Sequence, residues 1–247
     1  MTCMAIRKTR CCLALVAALA ISTLATPAYA QKYEDFATKR PVARGSYLVI
    51  GVLGGIESWS SPRRPVNVMA ADLRARNLPN VNVETVEHRH SGLALRLIVD
   101  ALDQNRDGKV DGDERTSAHI VLYGHSMGGA SVVKLARKLQ KLGVPVQLTV
   151  QIDSIGTGDR DIPANVLHAA NFYQRNALLL NGVKEIRAND PKSTTILGNF
   201  KYDYRERKVD LSKVSPVERV AGGSHTKMEF DPEVWSSVEK LILDEIK

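Results

Sequence analysis

HIVLYGHSMGGASVVKLARKLQKLG, residues 119–143, is the stretch from which the fold is read. His119 to Tyr123 is an apolar run of strand length, Gly124 to Gly129 is a glycine-rich turn, and helical spacing follows. Val132, Leu135, Ala136, Leu139 and Leu142 line one face of that helix, Lys134, Arg137, Lys138 and Lys141 line the other, and Gly143 ends it.

Working outward, the same alternation recurs. Upstream, Ser46 to Val52 is a short apolar run ending in Gly54-Gly55, and Val66 to Arg76 is helix-like. Val81 to Val86 alternates as a strand does. Ser91 to Leu102 then carries Leu93, Leu97, Ile98 and Ala101 at helical spacing, with Ser91 placed to cap it. Downstream, Val146 to Ile152 reads as a strand, although Gln147, Thr149 and Gln151 break the continuous apolar run expected of a parallel strand covered on both faces. Asn171 to Arg175 and Thr194 to Phe200 are weaker strand candidates. The final helix opens with Asp231 as cap and Pro232 at its first position, and Val234, Val238, Leu241, Ile242 and Ile246 form its apolar face. Strands alternating with helices predict an α/β fold, a mostly parallel central sheet with helices on both faces. Chemistry in such sheets sits at the carboxyl ends of the strands.

The 247 residues are 44% hydrophobic, 25% charged and 5% aromatic, which excludes a disordered chain, a collagen-like repeat and a disulfide-stapled miniprotein. Residues 1–30 have the layout of a secretory signal peptide. Arg7, Lys8 and Arg10 form a basic patch, Cys11 to Ala25 is uncharged, and Ala28-Tyr29-Ala30 is a small-residue cleavage site. The apolar run of about fifteen residues is shorter than the roughly twenty of a spanning helix. The expectation is a secreted or periplasmic protein cleaved near Ala30, with one domain over 31–247 and no integral membrane segment in the mature part. Removing that leader lowers the net charge of +7 to +4. The remaining basic residues are scattered, so no nucleic-acid partner is expected. Cys3, Cys11 and Cys12 all lie in the leader, leaving the mature chain without a disulfide or thiolate chemistry.

Gly124-His125-Ser126-Met127-Gly128 fits G-x-S-x-G between a strand and a helix, the context that gives the pattern meaning. Such a turn holds its serine in a strained conformation, and the N–H of Met127 in the first helical turn is placed to stabilise an oxyanion. With this segment the chain resembles the α/β-hydrolase fold family, and GHSMGG is similar to the elbow of its lipases and esterases. The resemblance implies the order nucleophile, acid, histidine. Of the histidines after Ser126, His225 lies in Gly222-Gly223-Ser224-His225-Thr226, a loop before the last helix, and takes the family's catalytic-histidine position; His168 heads a strand and is read as packed or surface. Asp153, ending the strand after the nucleophile helix, is the acid, with Asp159, Asp161, Asp190 and Asp203 as substitutes. Val52-Leu53-Gly54-Gly55-Ile56 resembles the family's oxyanion loop, so the second donor is the N–H of Leu53 or Gly54. Glu57, Ser58 and Trp59 either line the acyl pocket or begin a surface loop. What the resemblance implies is a serine hydrolase of small-molecule or lipid esters needing no organic cofactor. A thioesterase or amidase of the same fold, and a non-catalytic calcium-binding relative, are the competing readings.

One further motif is independent of that resemblance. Residues 103–114 match the twelve-residue EF-hand loop: Asp103, Asn105, Asp107, Asp111 and Glu114 supply oxygens, Gly108 the turn, and Lys109 a carbonyl. The entering helix is present, and little room is left for an exiting one. A structural Ca2+ that pins the approach to the Ser126 strand is the expectation.

Overall fold

A computed structural model describes residues 30–246, and Gln31–Lys247 forms one compact unit. The expected signal peptide therefore lies outside the described residues. Among the described residues, eight strands and six α-helices follow in order: β1 Ser46–Leu53, α1 Pro65–Ala75, β2 Val81–Glu87, α2 Ser91–Leu102, β3 Ala118–His125, α3 Met127–Lys141 and β4 Val146–Ile152. The second half runs β5 Asp161–Ile162, β6 Val166–Gln174, β7 Arg187–Ala188, β8 Thr195–Tyr202, α4 Pro216–Gly222, α5 Ser224–Glu229 and α6 Pro232–Glu245. Six strands form one sheet in the order β2-β1-β3-β4-β6-β8, every ladder parallel, and β5 and β7 pair separately. The predicted architecture is the one formed.

Each face of the sheet has its own core. Leu48, Ile50, Ile120 and Leu122 pack with Leu97 and Ile98 of α2 and Val132, Leu135 and Leu139 of α3. Val49, Val121, Leu148 and Val150 pack with Met69 and Leu73 of α1 and Val234, Val238 and Ile242 of α6. Consecutive strand residues thus serve opposite faces, which is why β1 and β3 read as unbroken apolar runs. The α3 stripe is as expected except at Leu142, which is 37% exposed. Asp231 caps α6 by accepting from Glu233 N (3.0 Å). Ser91 does not cap α2: it is the first helical residue, because a 3-10 turn over His88–His90 leads in and makes His90 the cap.

Of the polar positions of β4, Gln147 meets His119 Nδ1 (2.8 Å), and Gln151 is explained by what covers the sheet. No helix crosses over between β4 and β6 or between β6 and β8, so irregular chain covers that part of the α2/α3 face. Irregular chain brings backbone groups that no helix satisfies. Gln151, Asn171 and Asn199 stand in one row across β4, β6 and β8 and meet them. Gln151 donates to Asp159 O (2.8 Å) and Asn171 to Val183 O (2.9 Å), while Asn199 Oδ1 accepts from Ile186 N (2.8 Å).

Candidate active site

Ser126 occupies the junction of β3 and α3 with φ 56° and ψ −125°, a left-handed conformation costing an L-residue about 1–3 kcal/mol. The surroundings fix it there. Its N–H donates to Ile152 O (2.9 Å), and its carbonyl accepts from Gly129 N (3.0 Å) and Ile155 N (3.1 Å). The turn tolerates no side chain at Gly128, where a Cβ would stand 2.0 Å from the carbonyl oxygen of Val52. The glycines of the pattern thus let β1, β3 and α3 close on one another.

Three side chains named from sequence come together at the carboxyl edge. Ser126 Oγ lies 3.0 Å from His225 Nε2, and His225 Nδ1 lies 2.6 Å from Asp153 Oδ2. A carboxylate only accepts, so the Nδ1 proton points to Asp153 and Nε2 offers its lone pair to the serine hydroxyl. All three are buried, Asp153 completely. His225 is not in a loop as expected. It lies in the first turn of the short helix α5, which follows α4 after Gly223.

Asp153 is held by donors from two other segments. Oδ1 accepts from Gly182 N (2.8 Å) and Gln174 N (3.3 Å), and Oδ2 accepts from Gln174 Nε2 (2.8 Å). Gly182 approaches so closely that a Cβ would sit 2.3 Å from Asp153 Oδ1. The carboxylate therefore has its charge spread over several donors before the imidazole is counted. Gln174 carries no sequence signal for this role, because the strand end it occupies has no acid and Asp153 is 21 residues away along the chain.

The other candidates separate. The substitute acids Asp159, Asp161, Asp190 and Asp203 have other partners: Ser154, Arg187, Ser193 and Arg205 respectively. His168 pairs with Glu245 (2.9 Å) at the far end of β6. Ser58 is bonded to Ser60, and Trp59 packs against the α1/α6 core, so these two belong to the surface loop. Glu57 turns inward. Met127 is the first residue of α3, where an N–H has no intrahelical acceptor. Leu53 ends β1 in the ladder with β2, and the N–H of Gly54 is directed to Glu57 Oε2 (3.3 Å). A Cβ on Gly54 would stand 2.9 Å from Ser126 Cβ, so this loop is in contact with the serine.

Behind the triad lies a second buried group that the sequence did not announce. The His125 ring stacks on that of His225, with centroids 4.7 Å apart and planes at 26°. Burial pushes His125 down to about 4, leaving it neutral. Glu57, 3.8 Å from His125 Nδ1, is pushed up to about 7 by burial, against the pull of Arg64. Glu229 is raised for the same reason. Arg64 joins Glu229 (3.1 Å) to Glu218 (2.5 Å).

The 103–114 loop hangs from the C-terminus of α2, and a 3-10 turn over Gly112–Thr116 stands where an exiting helix would be. Asp103 accepts from Gly108 N (2.8 Å) and Asp107 N (3.1 Å), Asn105 from Asp107 N (2.8 Å), and Asp107 from Lys109 N (2.9 Å). Glu114 accepts from Gln104 N (2.9 Å) and Asn105 N (3.1 Å). The all-oxygen donor set fits calcium by its chemistry, and the acids are turned onto the loop's own N–H groups.

No protein-family model and no curated protein matches the chain. Among solved structures it is similar to a dienelactone hydrolase from Anabaena variabilis, at 12% identity over 81% of this chain and 86% of that one, with a TM-score of 0.42. The RedJ thioesterase of the prodiginine pathway in Streptomyces coelicolor is 12% identical over 83% of this chain and 96% of that one, with a TM-score of 0.31. A periplasmic ribose ABC transporter structure from Conexibacter woesei is 14% identical over 76% of this chain and 63% of that one, with a TM-score of 0.23. Likenesses of this size carry no argument about activity. The architecture rests on the parallel sheet and the strand–serine–helix turn.

Proposed function

We propose that the chain is a serine hydrolase of the α/β-hydrolase fold that cleaves carboxylic esters through an acyl-enzyme. The observation that carries this reading is the continuous chain of hydrogen bonds Ser126–His225–Asp153. A serine hydroxyl is a weak nucleophile until a positioned base takes its proton. His225 takes it as Oγ attacks the ester carbonyl, and Asp153 holds the imidazole in the required tautomer and offsets the positive charge that develops. The N–H of Met127 serves the oxyanion, with a second donor from Leu53, or from Gly54 once its N–H leaves Glu57 Oε2. The imidazolium returns the proton to the departing alkoxide, and the cycle repeats with water to release the acid.

Two further parts belong to the proposal. The leader over residues 1–30 directs export, and the protein works outside the cytoplasm after cleavage near Ala30. Ca2+ is taken by Asp103, Asn105, Asp107, Asp111, Glu114 and the carbonyl of Lys109, and its role is to brace the segment between α2 and β3. Among the described residues no helix is long and apolar enough to cross a membrane. The substrate is a small-molecule or lipid ester.

The test is a fluorophosphonate probe combined with a panel of esters and thioesters of graded chain length, with and without Ca2+. Wild-type protein is labelled once and turns over esters, Ser126→Ala does neither while keeping its fold, and Ca2+ raises the melting temperature. Labelling of Ser126→Ala at the wild-type rate rejects the nucleophile; a melting curve indifferent to Ca2+ rejects the metal.

A further inference from the structure

We propose that Glu57, His125 and Glu229 bind one transition-metal dication of the zinc class, and that its binding suppresses the neighbouring Ser126–His225 pair. The first half stands on geometry alone; the second rests on the hydrolase reading above.

The three side chains come from the loop after β1, the last residue of β3 and the last residue of α5, and their ligand atoms all lie within 4.8 Å of one another. Both ring nitrogens of His125 are buried without a hydrogen-bond partner, and the residue is 1% exposed. A neutral imidazole carries one N–H and one lone pair, and burying both without a protein partner is costly, a cost that a cation on the lone pair reduces. Glu57 Oε1, at 3.8 Å from His125 Nδ1, is close to the separation of about 3.4 Å that two ligands on a tetrahedral zinc adopt. Glu57 Oε2 holds the N–H of Gly54 and Glu229 Oε1 the guanidinium of Arg64, the outer contacts that orient ligating carboxylates.

One imidazole nitrogen with two carboxylates suits zinc and its neighbours, whereas calcium and magnesium take oxygen alone. A cation held by His125 lies against the ring on which His225 is stacked. Coulomb repulsion between that cation and the positive charge that His225 takes on as Ser126 attacks raises the barrier, and turnover falls.

The experiment titrates chelator-treated full-length protein with zinc chloride by calorimetry, without substrate, and separately follows ester turnover. One zinc per chain with a dissociation constant of about 10 µM or tighter is expected, neither calcium nor magnesium competing. Glu57→Gln and Glu229→Gln should each weaken it ten-fold or more; if Glu229→Gln fails to fold after losing its bond to Arg64, Glu57→Gln decides. Absence of binding at 100 µM zinc, or binding that survives Glu57→Gln as it would at a surface imidazole such as His168, overturns the site. Zinc that binds here and leaves turnover unchanged overturns the suppression. Should Ser126→Ala retain turnover, the hydrolase reading falls and the zinc stoichiometry still stands or falls on its own.

Discussion

The half of the sheet made of β2, β1 and β3 and the half made of β4, β6 and β8 solve the same covering problem by different means. In the first, α2 and α3 lie on one face, α1 on the other, and β1 and β3 are apolar on both sides. In the second, loops around β5 and β7 cover the α2/α3 face, and buried amides at 151, 171 and 199 satisfy the loop backbone. The division also falls across the active site. Ser126 stands where the halves meet, its carbonyl accepting from Gly129 N of α3 and its N–H donating to Ile152 O of β4, whereas the side chain of Asp153 takes its backbone and amide donors wholly from the loop-covered half, at Gln174 and Gly182. The helix-covered half carries the strained turn, and the loop-covered half carries the donors to the carboxylate.

Asp153→Asn carries the largest expected effect. It preserves the shape but presents an amide to His225 Nδ1, and turnover should fall about 10⁴-fold with the circular dichroism spectrum unchanged. A loss below ten-fold would move the acid elsewhere and end the division of labour. Next is Leu97→Ala, which removes a fully buried side chain from beneath the helix-covered half. Denaturant melts should show about 3 kcal/mol of lost stability, with turnover per folded molecule unaltered.

Asn171→Leu tests the other half. It leaves Val183 O without its donor, next to the Gly182 N–H that holds Asp153. The expected cost is about 2 kcal/mol, accompanied by a several-fold fall in turnover. If Leu97→Ala impairs turnover more than Asn171→Leu does, the comparison is wrong. Thr149→Val should do least. Its hydroxyl is buried without a partner, so the isosteric change is expected to be neutral or stabilising by up to about 1 kcal/mol in the same melts.

The helix-covered half was legible because its strands and helices state their burial in their own spacing: the predicted bounds of α2 are those observed, and β1, β2, β3 and α1 differ by a residue or two at their ends. The end of the chain was less so. α4 and α5 are seven and six residues long, too short to show an amphipathic period, and the sequence pattern there gave a loop. The alternation in β4 was visible but had no explanation until the loops it binds were located.

Within the site, Ser126 was determined by sequence alone, because a strained strand-to-helix turn writes its glycines at fixed local spacing. The oxygen-rich pattern at 103–114 is likewise local, since its residues are neighbours along the chain. His225 and Asp153 could be ranked from chain order, but only the tertiary structure brought them to 2.6 Å of one another. Gln174, Gly182 and the group Glu57–His125–Glu229 left no mark in the sequence at all. Their meeting depends on how β1, β3, β6 and α5 are arranged around one sheet edge, and contacts between segments so far apart are fixed by the packing of the whole domain, which no local pattern encodes.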